Sequence, residues 1–241
     1  MADAAHQMKT PLAGLRTQAE LALRETDPTQ LRRSLRQIAV ASERATHLID
    51  QLLALARTEH QAADAGAFEI VDLGRLARDL VRDFVPQALA HSIDLGFEGP
   101  EAEAPAARIV GAPIALREML KNLLDNAVRY TPPGGIVTVR VQPLSDAIRL
   151  EVEDTGPGIP EAERALVFER FYRVLGTDTD GSGLGLAIVR EIVEQHDASL
   201  RVGNNPNSHA AGAPGTRISI EFARAAPRAG TRAGGDLTRS P

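Results

Sequence analysis

Between residues 8 and 56, small and branched apolar side chains recur every three or four positions, with one interruption at Asp27-Pro28-Thr29-Gln30. Met8, Leu12, Leu15, Ala19 and Ala22 form the first stripe. Leu31, Leu35, Ile38, Ser42, Ala45, Ile49, Leu52 and Ala56 form the second, with only Ser42 polar. This spacing keeps side chains on one helix face, as in the seam of a coiled coil or four-helix bundle. The interruption has the chemistry of a helix start. Asp27 can cap, Pro28 suits the first helical position, and Gln30 can close a capping box. Residues 1–61 therefore read as an α-helical hairpin. Two helices with one narrow stripe bury little alone, so the pattern favours a homodimeric four-helix bundle over packing of the hairpin on the rest of its own chain.

The pattern changes after a linker at residues 61–66. Asp72 starts a helix running to about Ala90, residues 93–98 read as a strand, and a longer helix covers 113–129. Ile136–Val141 and Ala147–Glu153 alternate like paired antiparallel strands. A helix at 185–195 and strands near 199–203 and 216–222 complete the unit. With no regular βαβ repeat, residues 67–223 read as an α+β domain, a sheet with helices on one face. Residues 224–241, rich in Arg, Ala, Gly and Pro, read as a disordered tail.

Composition narrows the function. A net charge of -5 argues against nucleic-acid binding, and the absence of cysteine excludes disulfides and thiolate metal sites. No apolar run approaches the roughly 20 residues needed to span a bilayer, and MADAAHQMK lacks the apolar core of a signal peptide. The abrupt start, with chemistry by residue 6, suggests that upstream sequence has been removed.

Three polar motifs punctuate the second unit. Asn122 and Asn126 are four apart and share a helix face, with Arg129 close to it. Two amide oxygens and a guanidinium suit Mg2+ with phosphate oxygens, although a solvated polar face would look the same. Asp154-Thr155-Gly156-Pro157-Gly158 follows a strand. Its carboxylate can accept a hydrogen bond from an exocyclic amine while the glycine backbone approaches a flat base, although a plain Gly/Pro turn is an alternative. Gly181-Ser182-Gly183-Leu184-Gly185 leads into a helix, where bare amides and the helix N-terminus favour anions. It is neither a dinucleotide fingerprint nor a Walker loop, since no strand directly precedes it and it has no Lys.

Together these motifs resemble those of the sensor histidine kinases. NLLDNAVRYT resembles the N box, DTGPGIP the first glycine box, FERFYR (168–173) the F box, and GSGLGLAIV the second glycine box. His6-Gln7-Met8-Lys9-Thr10-Pro11-Leu12 resembles the phosphoacceptor H box. The resemblance covers residues 1–223, and the stretch from Ala4 to Glu25 is similar to Gram-negative sensor kinases of the tricarboxylate and quorum-signal type.

The resemblance implies a dimerisation and phosphoacceptor hairpin followed by a Bergerat-type ATP-binding sandwich. It implies ATP-dependent autophosphorylation of His6 and transfer to an Asp of a response regulator receiver domain. It places Mg2+ on Asn122 and Asn126, and the phosphates near Arg129 and Arg173. Tyr130, Gly156, Gly158 and Thr216 would line the nucleotide pocket, Asp154 would read the adenine amine, and Gly181, Gly183 and Gly185 would end a short lid after Leu175. It implies a cytoplasmic portion of an inner-membrane sensor, anchored only through sequence upstream of this chain. A Bergerat-fold ATPase of the chaperone, gyrase or mismatch-repair type would lack the hairpin with its His-x-x-x-Thr-Pro. A degenerate kinase acting as a dimeric scaffold would lack pocket residues that are all present here.

His6 also stands out by position. Two residues turn a helix by about 200°, so His6 faces away from the stripe that begins at Met8. A neutral imidazole there is a competent nucleophile near pH 7. Many relatives carry an acidic residue after the His, whereas this chain has Gln7. An amide oxygen accepts the imidazole proton's hydrogen bond without the compensating charge, and charge-assisted bonds are about twice as strong. Thr10 shares the His6 face and, by resemblance, positions the water that dephosphorylates the regulator, leaving a phosphatase-dominated balance open. Autophosphorylation should therefore run several-fold faster in Gln7→Glu than in the wild type; a wild-type rate equal or higher with γ-labelled ATP removes the argument.

Overall fold

The computed structural model describes residues 14–39, 41–42, 68–101, 107–174, 183–208 and 213–225. Helical backbone covers 14–22 (α1) and 28–39 (α2). Asp27 caps α2: its Oδ1 accepts the Thr29 N–H at 2.9 Å and its carbonyl takes the first helical bond, from Leu31. The reciprocal bond comes from Glu25, not from Gln30 as the capping-box pattern suggested. Glu25 Oε1 accepts the Asp27 N–H at 3.0 Å, and a carboxylate is a stronger acceptor than an amide. Ala22 is buried and Leu15, Ala19, Leu31 and Ile38 are half-buried, while Leu35 on the same stripe is 53% exposed. Met8, Leu12, Ala45, Ile49, Leu52 and Ala56 lie outside the described residues.

The second unit begins with β1 (Glu69–Asp72), where Asp72 ends the strand and caps α3 (Leu73–Ala90) by accepting the Arg75 N–H at 2.9 Å. Then come β2 (Asp94–Glu98), β3 (Arg108–Gly111), α4 (Pro113–Tyr130), β4 (Ile136–Pro143) and β5 (Ala147–Asp154). Two short 3-10 turns, Glu161–Glu163 and Leu166–Phe168, precede α5 (Gly185–Gln195), β6 (Ser199–Gly203) and β7 (Arg217–Ala223). The five-stranded sheet has the order β2-β4-β5-β7-β6, with β2 parallel to β4 and the other pairs antiparallel. β1 and β3, too short to show an alternation in the sequence, form a separate antiparallel pair.

Period-2 alternation sends Val137, Val139, Val141, Ile148, Leu150, Ile218, Ile220 and Phe222 into one buried face. Leu80 and Phe84 of α3, Met119, Leu120 and Leu124 of α4, and Ile188 and Ile192 of α5 join them in one core. The intervening residues carry cross-strand ion pairs. Arg140 reaches Glu98 at 2.8 Å and Glu153 at 3.0 Å, and Arg149 reaches Glu221 at 2.7 Å.

One boundary shifts. Arg224 bridges Ile109 and the Ala225 N–H donates to the Arg108 carbonyl at 2.9 Å, so the start of the expected tail is held to β3. A backbone amide beside an unpaired strand edge takes that bond whatever its side chain. Residues 226–241 lie outside the described residues.

α4 and α5 start without a side-chain cap, whereas α3 has Asp72. Asp72→Ala should lower the unfolding free energy by about 1 kcal/mol in urea, with an unchanged m value.

Candidate functional site

β5 ends at Asp154, whose side chain is only 7% exposed. Burial pushes its carboxyl up from the ordinary aspartate value, partly countered by the amides of Gly156 and Thr216 and by the Thr216 hydroxyl. Both amides donate to Oδ1, at 2.8 and 3.1 Å, so Oδ2 has no backbone donor. The Asp154 backbone is fixed as firmly. Its N–H donates to the Thr216 carbonyl at 2.9 Å, and its carbonyl accepts from Asn205 Nδ2 at 2.8 Å. Gly215, at φ +63, passes so close that an added Cβ would stand 2.2 Å from that carbonyl. Gly156 is equally constrained, 2.6 Å in the same sense from the Tyr130 carbonyl.

α4 and α5 bring the second motif against the third. A Cβ on Gly185 would meet Asn122 Oδ1 at 3.1 Å and Asn126 Nδ2 at 3.4 Å, so glycine lets α5 start close to both amides without displacing either. Asn122 is buried, and its Nδ2 donates to the Glu118 carbonyl at 2.9 Å and to Glu118 Oε1 at 3.2 Å. Those donations turn Oδ1 toward Gly185. Arg129 is ion-paired with Asp125 at 2.9 Å.

The segment of Phe168–Arg173 is stapled to α5. The Phe171 N–H donates to the Gly183 carbonyl at 2.8 Å, and Arg190 bonds Glu169 at 2.8 Å. Phe171 has φ +66, a costly conformation for a bulky residue that its surroundings must enforce. Gly183, at φ +69, fits against it: a Cβ there would lie 2.6 Å from the Phe171 carbonyl carbon.

These pieces surround one cavity. Asp154, Thr216, Gly158 and Tyr130 line one part, Asn126, Arg129, Gly183 and Gly185 another, and Tyr172 and Arg173 its rim. Val152, Ile159, Val167, Leu186 and Ile218 supply an apolar wall, of which only Ile159 and Leu186 fall within the quoted motifs. Asn122 and Gly156 stand behind this lining. The cavity volume is about 120 Å³, below the ~300–1,000 Å³ of pockets that enclose a drug-sized ligand. His6, Gln7, Thr10 and Gly181 lie outside the described residues. The structure thus brings together Asn126, Arg129, Tyr130, Asp154, Gly158, Arg173, Gly183, Gly185 and Thr216. It adds Asn205 and Gly215, for which the sequence carried no signal beyond a glycine before a strand.

Residues 1–61 match the His Kinase A (phospho-acceptor) domain, and residues 111–226 match the histidine kinase-, DNA gyrase B-, and HSP90-like ATPase model. The chain is 41% identical over 202 residues to the sensor protein kinase PmrB of Pseudomonas aeruginosa, covering 83% of this chain and 41% of that protein. It is 37% identical to the sensor protein QseC of Escherichia coli, covering 84% of this chain and 43% of QseC. The chain thus spans less than half the length of these relatives. Among solved structures, a mycobacterial sensor histidine kinase MprB chain superposes with a TM-score of 0.56 at 35% identity, covering 65% of this chain and 98% of that one. A histidine kinase ThkA in complex with the response regulator TrrA shares the fold, with a TM-score of 0.71 at 20% identity. With both family models in order along it and a cavity built from the N-box, glycine-box and F-box residues, this chain belongs to the sensor histidine kinases of two-component systems.

Proposed function

We propose that the chain is the catalytic portion of a sensor histidine kinase, binding Mg·ATP in the cavity at Asp154, phosphorylating His6 and passing the phosphoryl group to an Asp of a response regulator. The observation that carries this is the buried carboxylate of Asp154 at the cavity wall, with both backbone donors on one oxygen. The remaining acceptor suits the exocyclic amine of adenine and rejects the carbonyl that guanine carries there. The apolar wall of Val152, Ile159 and Ile218 suits the faces of the base.

The donor set also fits Mg2+ and phosphate. Asn122 and Asn126 offer hard amide oxygens next to the glycine amides at the start of α5. Bound Mg2+ would supply charge neutralisation at the phosphates. Arg173, at the rim, is the cation that we assign to the transferring phosphoryl group, and Arg129 supports the same region from α4. The neutral His6 imidazole forms the N–P bond as the bond to the leaving ADP breaks, while Gln7 accepts the hydrogen bond from its other nitrogen. Positioning and charge carry most of such a reaction.

The hairpin fits a dimer: Leu35, on the seam stripe, is more than half exposed. We assign residues 1–61 to dimerisation and phosphoacceptance and 67–223 to catalysis. Among the described residues no helix is long and apolar enough to cross a membrane. Thr10 leaves regulator dephosphorylation as a second activity of the same hairpin.

With Mg2+ and γ-labelled ATP the chain should acquire alkali-stable, acid-labile label, and His6→Ala should abolish it. Nucleotide binding without label would favour the scaffold reading, and no binding would overturn the pocket itself.

Asp154 makes a second prediction. Its folded pKa is raised, so the stability it contributes is full below the unfolded value near 3.9 and lost as pH rises through the folded value. At neutral pH the buried charge is a net cost. Asp154→Asn removes that cost, so the variant should unfold no earlier than the wild type in urea at pH 7, and should lose that standing as acid protonates the wild-type carboxyl. A fluorescent ATP analogue should nevertheless bind at least about tenfold more weakly, the scale of one charged hydrogen bond.

A further inference from the structure

His196 caps the C-terminal end of α5 and lies outside the cavity, yet both of its ring nitrogens are engaged. Nδ1 is 2.7 Å from the Ile192 carbonyl, which can only accept, so Nδ1 carries the proton. Nε2 then has the lone pair and accepts the Ala112 N–H at 3.1 Å. Ala112 is the N-cap position of α4, where no side chain supplies a capping bond. Phe68, entering β1, stacks on the ring with centroids 4.8 Å apart, and Phe222 of β7 meets it edge-on at 6.1 Å. Gly111 makes the room: a Cβ there would stand 2.8 Å from His196 Cδ2.

We infer that His196 is a positioning residue for nucleotide binding: as the neutral Nδ1–H tautomer it clips the C-terminal end of α5 to the N-terminal end of α4, and its protonation opens that clip. The inference rests on the nucleotide reading of the cavity. α4 and α5 pack side by side with the clip at one end and the Asn122–Asn126–Gly185 cluster at the other. Gly185 and His196 are eleven residues apart, about 16 Å along the helix. A Cβ added at Gly185 would stand 3.1 Å from Asn122 Oδ1 and 3.4 Å from Asn126 Nδ2, so a small slip of α5 along α4 changes the spacing of the cradle. Phe68 is the residue through which the chain enters this unit, so the same ring also ties the entry to the helix pair.

A charged ring carries a proton on Nε2, which would face the Ala112 N–H donor to donor. Burial works in the same direction, pushing the His196 pKa down, against the Ile192 carbonyl and the neighbouring Asp197. The surrounding elements also carry Glu69 and Asp72 on β1, Arg108 on β3, Arg117, Glu118 and Lys121 in the first half of α4, Arg190, Glu191 and Glu194 on α5, and Glu221 and Arg224 at β7. Arg117 is paired with Asp83, Glu194 with Arg190 and Glu221 with Arg149, and Asp197 is the charge that acts on the ring. A depressed histidine pKa gives stability that is full above the unfolded value near 6.5 and lost as pH falls through the folded value. The clip therefore opens on the acid side.

The test compares wild type with His196→Gln, whose amide offers one donor and one acceptor and does not titrate, using a fluorescent ATP analogue from pH 8 to pH 5 with circular dichroism to confirm folding. At pH 7.5 the two should bind within about twofold. Below the folded pKa the wild type should lose affinity by up to about tenfold per pH unit, as the competent fraction falls, while His196→Gln keeps only the shallower loss that Asp154 imposes on both. Parallel profiles overturn the inference. Failure of the wild type to bind at any pH overturns the nucleotide reading and this inference with it, whereas binding with parallel profiles overturns this inference alone. If the variant does not fold, the ring's 15N shifts in the wild type decide. A neutral Nδ1–H form whose titration midpoint coincides with the loss of affinity supports the clip, and a ring already charged at pH 6.5, or titrating without effect on affinity, overturns it.

Discussion

A carboxylate buried at the end of a central strand is costly, and much of the second unit is arranged around that cost. Asp154 cannot be left without donors, so Gly156 and Thr216 turn their amides onto it. Those amides reach it only because the chain comes unusually close at Gly156 and Gly215, where any side chain would collide with the Tyr130 or Asp154 carbonyl. Where the β5–β7 ladder stops at Glu153 and Arg217, Asn205 takes over as a side-chain substitute for the missing strand bond. Asn205, just after β6, is thereby tied to the acid it serves. A residue that destabilises its own fold while facing a cavity is more readily explained by binding than by structure.

The helix pair α4 and α5 faces a related conflict. Leu116, Met119, Leu120, Leu123 and Leu124 would make an ordinary apolar face, but Asn122 is buried in its midst. Glu118, one turn earlier, satisfies the amide N–H and leaves the oxygen directed at Gly185. Glycine at the start of α5 weakens helix propensity by about 1 kcal/mol relative to alanine. The close approach to both asparagine amides is what that cost makes possible. The Asn motif and the second glycine motif, some sixty residues apart, are therefore one structural object.

That dependence explains how much was legible in the sequence. Elements with a long period were plain: α4 and α5 show the helical spacing, and β4, β5 and β7 alternate cleanly because one face meets the core and the other carries ion pairs. β1 and β3, of four residues each, are too short for a period to register, and β3 gains its place by pairing with β1 and the backbone of Arg224. In the site, residues whose side chains do the chemistry were visible because Asn, Asp and Gly are uncommon in periodic segments. Most of the apolar wall was invisible, since Val152 and Ile218 look like any core residue. Asn205 and His196 were invisible for another reason: each acts on a backbone group brought near by the fold, and nothing local marks that. The bond to the Asp27 N–H, from Glu25 rather than Gln30, is by contrast a local competition decided by charge.

The cavity has apolar residues, Ile159 and Val152, beside the polar Asp154 and Tyr130 in its lining. An enzyme that hydrolyses its nucleotide gains from closing over the phosphates to control water. A kinase that phosphorylates a histidine on a separate helical hairpin cannot do so, because the γ-phosphate must remain reachable by an imidazole carried on another unit. The rigid staples reflect this division. Phe171 to Gly183 and Glu169 to Arg190 fix the Phe168–Arg173 segment, while Asp154 is fixed separately by its own donors. Under the proposed function, specificity is built into the described unit, and the acceptor is supplied from outside it.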